Sequence, residues 1–154
     1  MKTLVVGPAW STLAKTIAHV HALPFVPLTV SQFADTETCI SLEHDDSLSG
    51  AHVVLVYQLQ RPGSYPSMND QAIGLLQTVD ALNVQGAKSI SLLLPYLVYG
   101  RQDVSVDRRH PGAVFMLGRC LTSLGVTQLI VCDMHAPAII PSFAVPLHNI
   151  DVVS

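Results

Sequence analysis

Two common phosphate-binding loops are absent from this sequence of 154 residues. Neither Gly-x-x-x-x-Gly-Lys nor Gly-x-Gly-x-x-Gly occurs in it, so nucleotide binding cannot be inferred from glycine-rich loops. Positive charge is also scarce, because the chain has 8 lysines and arginines and a net charge of −3. A weakly acidic chain lacks the basic field that attracts nucleic acid. We therefore expect no nucleic-acid partner.

Long hydrophobic runs are missing as well. No stretch reaches the roughly 20 apolar residues that a membrane-spanning helix requires, and the first three residues do not begin a signal-peptide pattern. The three cysteines, Cys39, Cys120 and Cys132, lie far apart and lack the spacing of a metal site. We expect a cytoplasmic protein with free thiols and no membrane partner.

The composition is unusually apolar, with 49% hydrophobic and only 12% charged residues. Two interpretations fit a chain of this length. One is a single well-packed domain, since much of any protein surface is apolar. The other is a domain whose apolar surface meets another subunit or domain.

Short apolar runs alternate with helical patterns along the chain. The runs predicted as strands are residues 4–6, 25–30, 38–42, 53–57, 90–94, 129–132 and 143–147. Alternation of strands and helices is typical of βαβ units. The sequence therefore predicts an α/β fold with a doubly wound, mostly parallel sheet and helices on both faces.

Three helices are predicted between these strands. Ser11 is placed to cap the first helix, whose apolar residues recur at helical spacing: Leu13, Ile17 and Val20. Ser67 and Asp70 are placed to cap the second, which we expect to face the core with Ile73, Leu76, Val79 and Leu82. For the third helix, Pro111 suits the first turn and Gly125 the position just past the end.

Ligands in such sheets bind beyond the carboxyl ends of the strands, which directs attention to the segments after Val56, Leu94 and Cys132. The segment after Leu94 contains Arg101-Gln102-Asp103. An arginine there can bind a phosphate with two hydrogen bonds, and Asp103 could orient it or support a metal. A solvated loop with an Arg–Asp pair is the alternative.

The segment after Cys132 places Asp133 and His135 two residues apart. An extended backbone would put both side chains on one face, where they could hold a divalent cation or act as acid and base. A histidine with ordinary hydrogen bonds at a strand end is the alternative.

A third candidate, Phe33-Ala34-Asp35-Thr36-Glu37, precedes the strand at 38–42. Its aromatic ring could stack on a base while its carboxylates accept hydrogen bonds from the exocyclic amine. A plain turn before a strand explains Asp35 and Thr36 equally well.

Taken together, these segments resemble the N-terminal domain of the ribose-phosphate diphosphokinases, or phosphoribosyl pyrophosphate synthetases. The resemblance spans roughly positions 4 to 150. The motifs that carry it are Phe33-Ala34-Asp35-x-Glu37, Met68-Asn69-Asp70, Val79-Asp80-Ala81-Leu82, Pro95-Tyr96-x-x-Tyr99-x-Arg101-Gln102-Asp103, Arg109-x-Pro111, Asp133-x-His135-Ala136 and Pro146-x-x-Asn149-Ile150.

The resemblance implies a phosphoribosyltransferase-like fold and a magnesium-dependent transfer of diphosphate from ATP to ribose 5-phosphate. Arg101, Gln102 and Asp103 would bind ATP, and His135 would bind Mg²⁺ with Asp133 orienting it. A second set of residues would contact the nucleotide, often of a neighbouring subunit in a homo-oligomer: Phe33, Asp35, Thr36 and Glu37.

The chain also departs from the family pattern. Thr36 stands where the family usually has glycine, Val114 replaces a lysine, and Asn83-Val84 replaces a Lys-Arg pair. Ser47-Leu48-Ser49-Gly50 lacks the arginine that serves an allosteric phosphate site in regulated members, so we expect no activation by phosphate.

The family's second domain, which binds ribose 5-phosphate and carries the catalytic loop, has no counterpart here. We therefore expect residues 1–154 to be a single ATP-binding domain that is catalytically incomplete alone. The alternative is a catalytically silent, regulatory subunit of such an enzyme.

Overall fold

Helices and strands alternate along the described part of the chain. A computed structural model describes residues 2–42, 48–58, 67–102, 112–134, 136, 140 and 143–152. In chain order the elements are β1 (Thr3–Pro8), α1 (Thr12–Val20), β2 (Phe25–Gln32), β3 (Thr38–Leu42), β4 (His52–Val56), α2 (Met68–Val84), β5 (Ser89–Leu94), α3 (Ala113–Ser123), β6 (Val126–Cys132) and β7 (Leu147–Ile150).

The strands form one seven-stranded sheet in the order β3-β2-β1-β4-β5-β6-β7. Every neighbouring pair is parallel except the β2–β3 hairpin, which is antiparallel. The chain moves in one direction from β1 to β3 and in the other from β4 to β7, which is the pattern of a doubly wound sheet. The predicted fold class is confirmed.

Alternate side chains of the central strands enter two separate cores. Leu4 and Val6 of β1 pack in the larger core with the buried residues of α2 and α3. Val5 lies between them in sequence and packs on the other face with Ala14 and Ala18 of α1. Helices therefore cover both faces of the sheet, as predicted.

The predicted helix ends are largely confirmed because they depend on local hydrogen bonds. Ser11 accepts a hydrogen bond from the Ala14 N–H and caps α1. Ser67 and Asp70 form a capping box at the start of α2. Gly125 follows α3 with a φ of +86°, whereas α3 begins at Ala113, two residues beyond Pro111, which lies outside the described residues. None of the helices in the described ranges is long and apolar enough to span a membrane.

The faces that the helices turn to the sheet match the predicted apolar positions only in part. Leu13 and Val20 are 37% and 68% exposed, and α1 instead approaches the sheet through Ala14 and Ala18. A Cβ added to Gly7 would lie 2.7 Å from the Ala14 Cβ, so helix and strand touch where both side chains are small. Of the three predicted apolar positions, Ile17 packs against this core, whereas Leu13 and Val20 do not reach it.

Helix α2 repeats this behaviour. Val79 and Leu82 are buried and Leu76 packs against the same core, as predicted, but Ile73 is 50% exposed. Its neighbour Gly74 faces the core instead, where an added Cβ would lie 2.7 Å from the Tyr57 hydroxyl oxygen. Gly74 permits the closest contact of this helix with the core, and Leu75, Val79 and Leu82 fill the rest of the same face.

The last predicted strand, residues 143–147, is wrong in its position. The strand is β7, Leu147–Ile150, and it pairs with Leu129–Cys132 of β6. Phe143 instead packs on α3, where an added Cβ at Gly118 would lie 2.8 Å from the phenyl ring. A short apolar run does not by itself distinguish a strand from a loop that packs on a helix.

Candidate functional site

Two of the predicted site segments meet at the carboxyl edge of the sheet. Strands β5 and β6 are parallel neighbours whose last residues pair as Leu94 with Val131. The loops that follow them enclose a cavity of about 180 Å³. The residues that line it are Tyr96, Leu97, Gly100, Arg101, Cys132, Asp133 and Met134. Arg101 and Asp133 are therefore brought together by the sheet, although 31 residues separate them in sequence.

Tight turns shape the loop that carries Arg101. The Gly100 N–H donates to the Leu97 carbonyl at 3.1 Å, and the Gln102 N–H donates to the Tyr99 carbonyl at 2.7 Å. Leu97 and Val98 are buried beneath the loop, whereas Arg101 and Gln102 are exposed. The loop thus has a fixed base and presents a guanidinium and an amide to solvent. Asp103, the third member of this predicted set, lies outside the described residues.

A second cavity lies on the other side of Arg101 and has a volume of about 260 Å³. Its lining residues are Met68, Tyr96, Val98, Tyr99, Arg101 and Gln102. Met68 begins α2, so this cavity separates the start of that helix from the loop after β5. Reasoning from the sequence gave Met68 and Tyr99 no role, because only the fold brings these residues, 31 positions apart, together.

Asp133 does not adopt the extended backbone that the sequence predicted. Its φ is +43°, a left-handed conformation that aspartate tolerates better than most residues. Its N–H donates to the Ile150 carbonyl at 3.0 Å, and its Oδ1 accepts from the Val152 N–H at 2.8 Å. Asp133 is thus held against the end of β7. His135 lies outside the described residues.

Cys132 lies beside Asp133 in the same cavity. Burial raises the pKa of its thiol, and the negative charge of Asp133 raises it further. Cys132 therefore stays protonated at neutral pH, when a thiol is a weak nucleophile.

The Phe33–Glu37 segment forms the tip of the β2–β3 hairpin. The Thr36 N–H donates to the Phe33 carbonyl and the Phe33 N–H to the Glu37 carbonyl, both at 2.9 Å. Asp35 Oδ1 accepts from the Glu37 N–H at 3.2 Å. The predicted turn is therefore present. Phe33 is 60% exposed, so its ring is accessible at this tip.

Thr36 in this tip has a φ of +73°. Glycine adopts such a φ without steric cost, whereas a β-branched residue does not. The position at which the family pattern has glycine is thus one where the backbone favours glycine.

The hairpin lies well away from the Arg101 cavity. Strands β1 and β4 separate β2 from β5 in the sheet, and three strand spacings amount to about 14 Å. Neither cavity beside Arg101 is lined by a residue of 33–37. Two predicted site segments are brought together by this chain, and the third lies apart.

Strained backbone marks all three segments. The described non-glycine residues with positive φ are Ala22, Thr36, Tyr99 and Asp133. Only Ala22 lies outside a predicted site segment. Strain of this kind persists where the surrounding structure imposes it, and it concentrates at functional sites.

Side chains that could bind a metal ion do not gather in groups in the described part of the chain. No three histidine, cysteine, aspartate or glutamate side chains cluster there. Asp133 supplies one carboxylate at the cavity edge. Mg²⁺ in phosphate sites is commonly held by one or two carboxylates together with water and substrate phosphates. A single protein carboxylate beside Arg101 therefore fits Mg²⁺ that arrives with a nucleotide.

Comparison with known proteins supports the fold. A structure of phosphoribosylpyrophosphate synthetase from Mycobacterium smegmatis superposes with a TM-score of 0.83 and 22% sequence identity over 98% of this chain and 49% of that chain. At that identity the likeness shows the shared α/β fold.

Two further proteins are similar to this chain in sequence. Ribose-phosphate pyrophosphokinase 1 of Streptococcus agalactiae is 32% identical over 90% of this chain and 41% of its own length. The protein of the same name from Listeria monocytogenes is 30% identical over 92% of this chain and 42% of its own length. This chain therefore spans less than half of these relatives. A family model for the N-terminal domain of ribose phosphate pyrophosphokinase matches residues 2–125, and the chain belongs to that family.

Proposed function

We propose that this chain forms the ATP-binding part of a ribose-phosphate diphosphokinase. In that reaction the 1-hydroxyl oxygen of ribose 5-phosphate attacks the β-phosphorus of ATP. The bond from that phosphorus to the α,β-bridging oxygen breaks, AMP leaves, and the hydroxyl proton is lost. The products are phosphoribosyl pyrophosphate and AMP.

The observation that carries the proposal is the shared cavity of Arg101 and Asp133 at the carboxyl ends of two parallel strands. This edge is where doubly wound folds bind their ligands. A guanidinium there can hold phosphate oxygens with two hydrogen bonds. A carboxylate close to it suits the cation that accompanies ATP.

Each predicted residue has a role in this proposal. Arg101 and Gln102 bind the ATP of their own chain, with Asp103 supporting them. His135 ligates Mg²⁺, and Asp133, held by the Val152 N–H, orients that site. The bound ion would neutralise phosphate charge during the transfer.

The hairpin tip serves a neighbouring copy. The exposed Phe33 ring would stack on adenine bound by the other subunit. Asp35, Thr36 and Glu37 would contact the same nucleotide. The roughly 14 Å between β2 and β5 favours binding of one nucleotide by two copies of the chain. Such a shared site implies a homo-oligomer.

The part of the protein that binds ribose 5-phosphate and supplies the catalytic residues lies outside this chain in the proposal. The residues of this chain hold and orient the diphosphate donor, and positioning contributes strongly to transfers of this type. We propose a cytoplasmic site of action in nucleotide synthesis.

Titration of the full-length protein with MgATP tests the proposal. Arg101→Ala should weaken binding by about 1.5–3 kcal/mol, or about 10- to 150-fold, because it removes a charged hydrogen bond. Arg119→Ala is the matched control, since Arg119 is an exposed arginine of α3 and does not line either cavity beside Arg101.

Equal affinities of wild type and Arg101→Ala would remove Arg101 from the site. Failure of the wild-type oligomer to bind MgATP at all would instead support a catalytically silent subunit. The strained Thr36 in place of glycine is the feature that favours this second function.

A further inference from the structure

Tyr99 has a backbone conformation that its own side chain disfavours. Its φ is +61°, in the left-handed region where a bulky residue is strained. It is the third residue of the turn at 97–100 and the first of the turn at 99–102 that carries Arg101, where its carbonyl accepts the Gln102 N–H at 2.7 Å. The residue that presents Arg101 is thus held in place against its local preference, which requires a restraint from elsewhere.

A hydrogen bond from the end of the Tyr99 side chain supplies such a restraint. The hydroxyl donates to Asn69 Oδ1 at 2.9 Å. Asn69 lies in the first turn of α2, immediately before Asp70. The Ser67 N–H donates to Asp70 Oδ2 at 2.8 Å, and the Asp70 N–H donates to Ser67 Oγ at 3.2 Å. Asn69 therefore lies in a helix start that the Ser67–Asp70 hydrogen bonds hold in place.

The two elements that this hydrogen bond joins also line the second cavity. Met68 of α2 and Tyr99 of the loop both line it, together with Arg101 and Gln102. The distance between the two walls thus depends on the link between Tyr99 and Asn69. Movement of this link would move the guanidinium that both cavities share.

We propose that Tyr99 and Asn69 are positioning residues for the nucleotide site. Their hydrogen bond fixes the turn at 99–102 against α2 and so orients Arg101 and Gln102 towards the phosphates. The role in nucleotide binding rests on the function proposed above, whereas the restraint on the turn does not.

The test compares two tyrosines that both donate a hydrogen bond to α2. Tyr99→Phe removes the hydroxyl that reaches Asn69, and Tyr57→Phe removes the buried hydroxyl that donates to the Gln71 carbonyl at 3.0 Å. In the full-length protein, Tyr99→Phe should weaken MgATP binding about three- to ten-fold, the effect of one net hydrogen bond. Tyr57→Phe should lower the unfolding midpoint and leave MgATP affinity unchanged.

A double-mutant cycle separates the pair from its surroundings. Asn69→Ala should weaken MgATP binding as much as Tyr99→Phe, and the double variant should be no weaker than either single variant. Additive losses would mean that the two side chains act separately and would overturn the proposal.

Amide hydrogen exchange provides a measurement that does not depend on nucleotide. Tyr99→Phe should speed exchange at Gln102, whose N–H is bonded to the Tyr99 carbonyl, whereas Tyr57→Phe should not. Unchanged exchange at Gln102 would refute the restraint. Faster exchange with unchanged MgATP affinity would refute the positioning role. A wild type that binds no MgATP would refute the proposed function, and exchange alone would then decide whether the restraint exists.

Discussion

The loop after β5 and the tip of the β2–β3 hairpin lie on the same edge of the sheet but are built differently. The loop has parallel strands on both sides and buried residues beneath it, with Leu97 6% and Val98 1% exposed. The hairpin belongs to the edge strand β3, and Phe33 at its tip is 60% exposed. A loop between parallel neighbours can share a cavity with the loops that follow them. A hairpin at the edge of the sheet can complete a site only with another subunit or domain that packs against it.

Both regions also contain one strained non-glycine residue, and the two residues differ in what holds them. Tyr99 is linked to α2 through its hydroxyl. Thr36 is held by the hairpin itself, through the hydrogen bond of its N–H to the Phe33 carbonyl. Strain in the loop is therefore coupled to a distant element, and strain in the hairpin is local.

The largest expected effect comes from separating the two regions onto different copies of the chain. At an MgATP concentration near the wild-type Kd, Arg101→Ala and Phe33→Ala should each leave few sites of the full-length oligomer occupied. Mixed after joint refolding, the two variants should regain about a quarter of the wild-type sites, if each site of a two-fold pair takes one region from each copy. Calorimetric stoichiometry measures the number of recovered sites.

In the control, Arg101→Ala is mixed with wild-type protein that carries a label. The appearance of the label in mixed oligomers confirms that subunits exchange. If exchange occurs and the two variants together recover no sites, the hairpin and the loop do not act on one nucleotide across a subunit boundary.

A smaller effect is expected from relieving the strain at Thr36. A left-handed conformation costs an ordinary residue about 1–2 kcal/mol, and glycine loses about 0.5–1 kcal/mol to its greater freedom when unfolded. Thr36→Gly should therefore raise the free energy of unfolding by about 0.5–1 kcal/mol. Urea unfolding measures this change.

Thr29→Gly is the matched control, because Thr29 is an exposed residue within β2. It should destabilise the protein, since glycine weakens a strand interior. A loss of stability in both variants would show that Thr36 is not strained.

The smallest effect concerns the helix start on which Asn69 stands. Hydrogen bonds from the Ser67 side chain and then from the Ser67 backbone N–H lower the pKa of Asp70 below its ordinary 3.8. A lowered pKa in the folded state means that ionised Asp70 stabilises the fold above pH 3.8, and that this contribution is lost as pH falls through the folded-state value. Asp70→Ala should therefore be less stable than wild type at pH 7, and the difference should shrink in acid.

Denaturant unfolding across this pH range measures the difference. Asp70→Asn keeps an acceptor for the Ser67 N–H but has no carboxyl to titrate, so its stability should not change through this group. A gap between wild type and Asp70→Ala that stays constant into acid would contradict the stabilising role of the charge.

Most of the fold was predictable because its signals are local. Leu94 and Cys132 end strands as the apolar runs indicated, and β4 ends at Val56, one residue before the predicted end. Ser11 and Ser67 cap helices through groups within three residues. The candidate site was predictable in part. Arg101 was found because the strand before it ends in a polar loop, but its neighbour Tyr99 carried no signal that linked it to Asn69.

The sequence by itself determined the succession of strands and helices along the chain and their caps, since these depend on residues close together in the chain. It also determined the family, since short motifs in a fixed order carry that resemblance. The tertiary structure decided which helix positions meet the sheet, because Ala14 and Gly74 lie at close contacts while Leu13 and Ile73 stay exposed. It also decided that Arg101 and Asp133 share a cavity while Phe33 lies apart. Those outcomes depend on which strands become neighbours in the sheet, and strand order is a property of the whole chain.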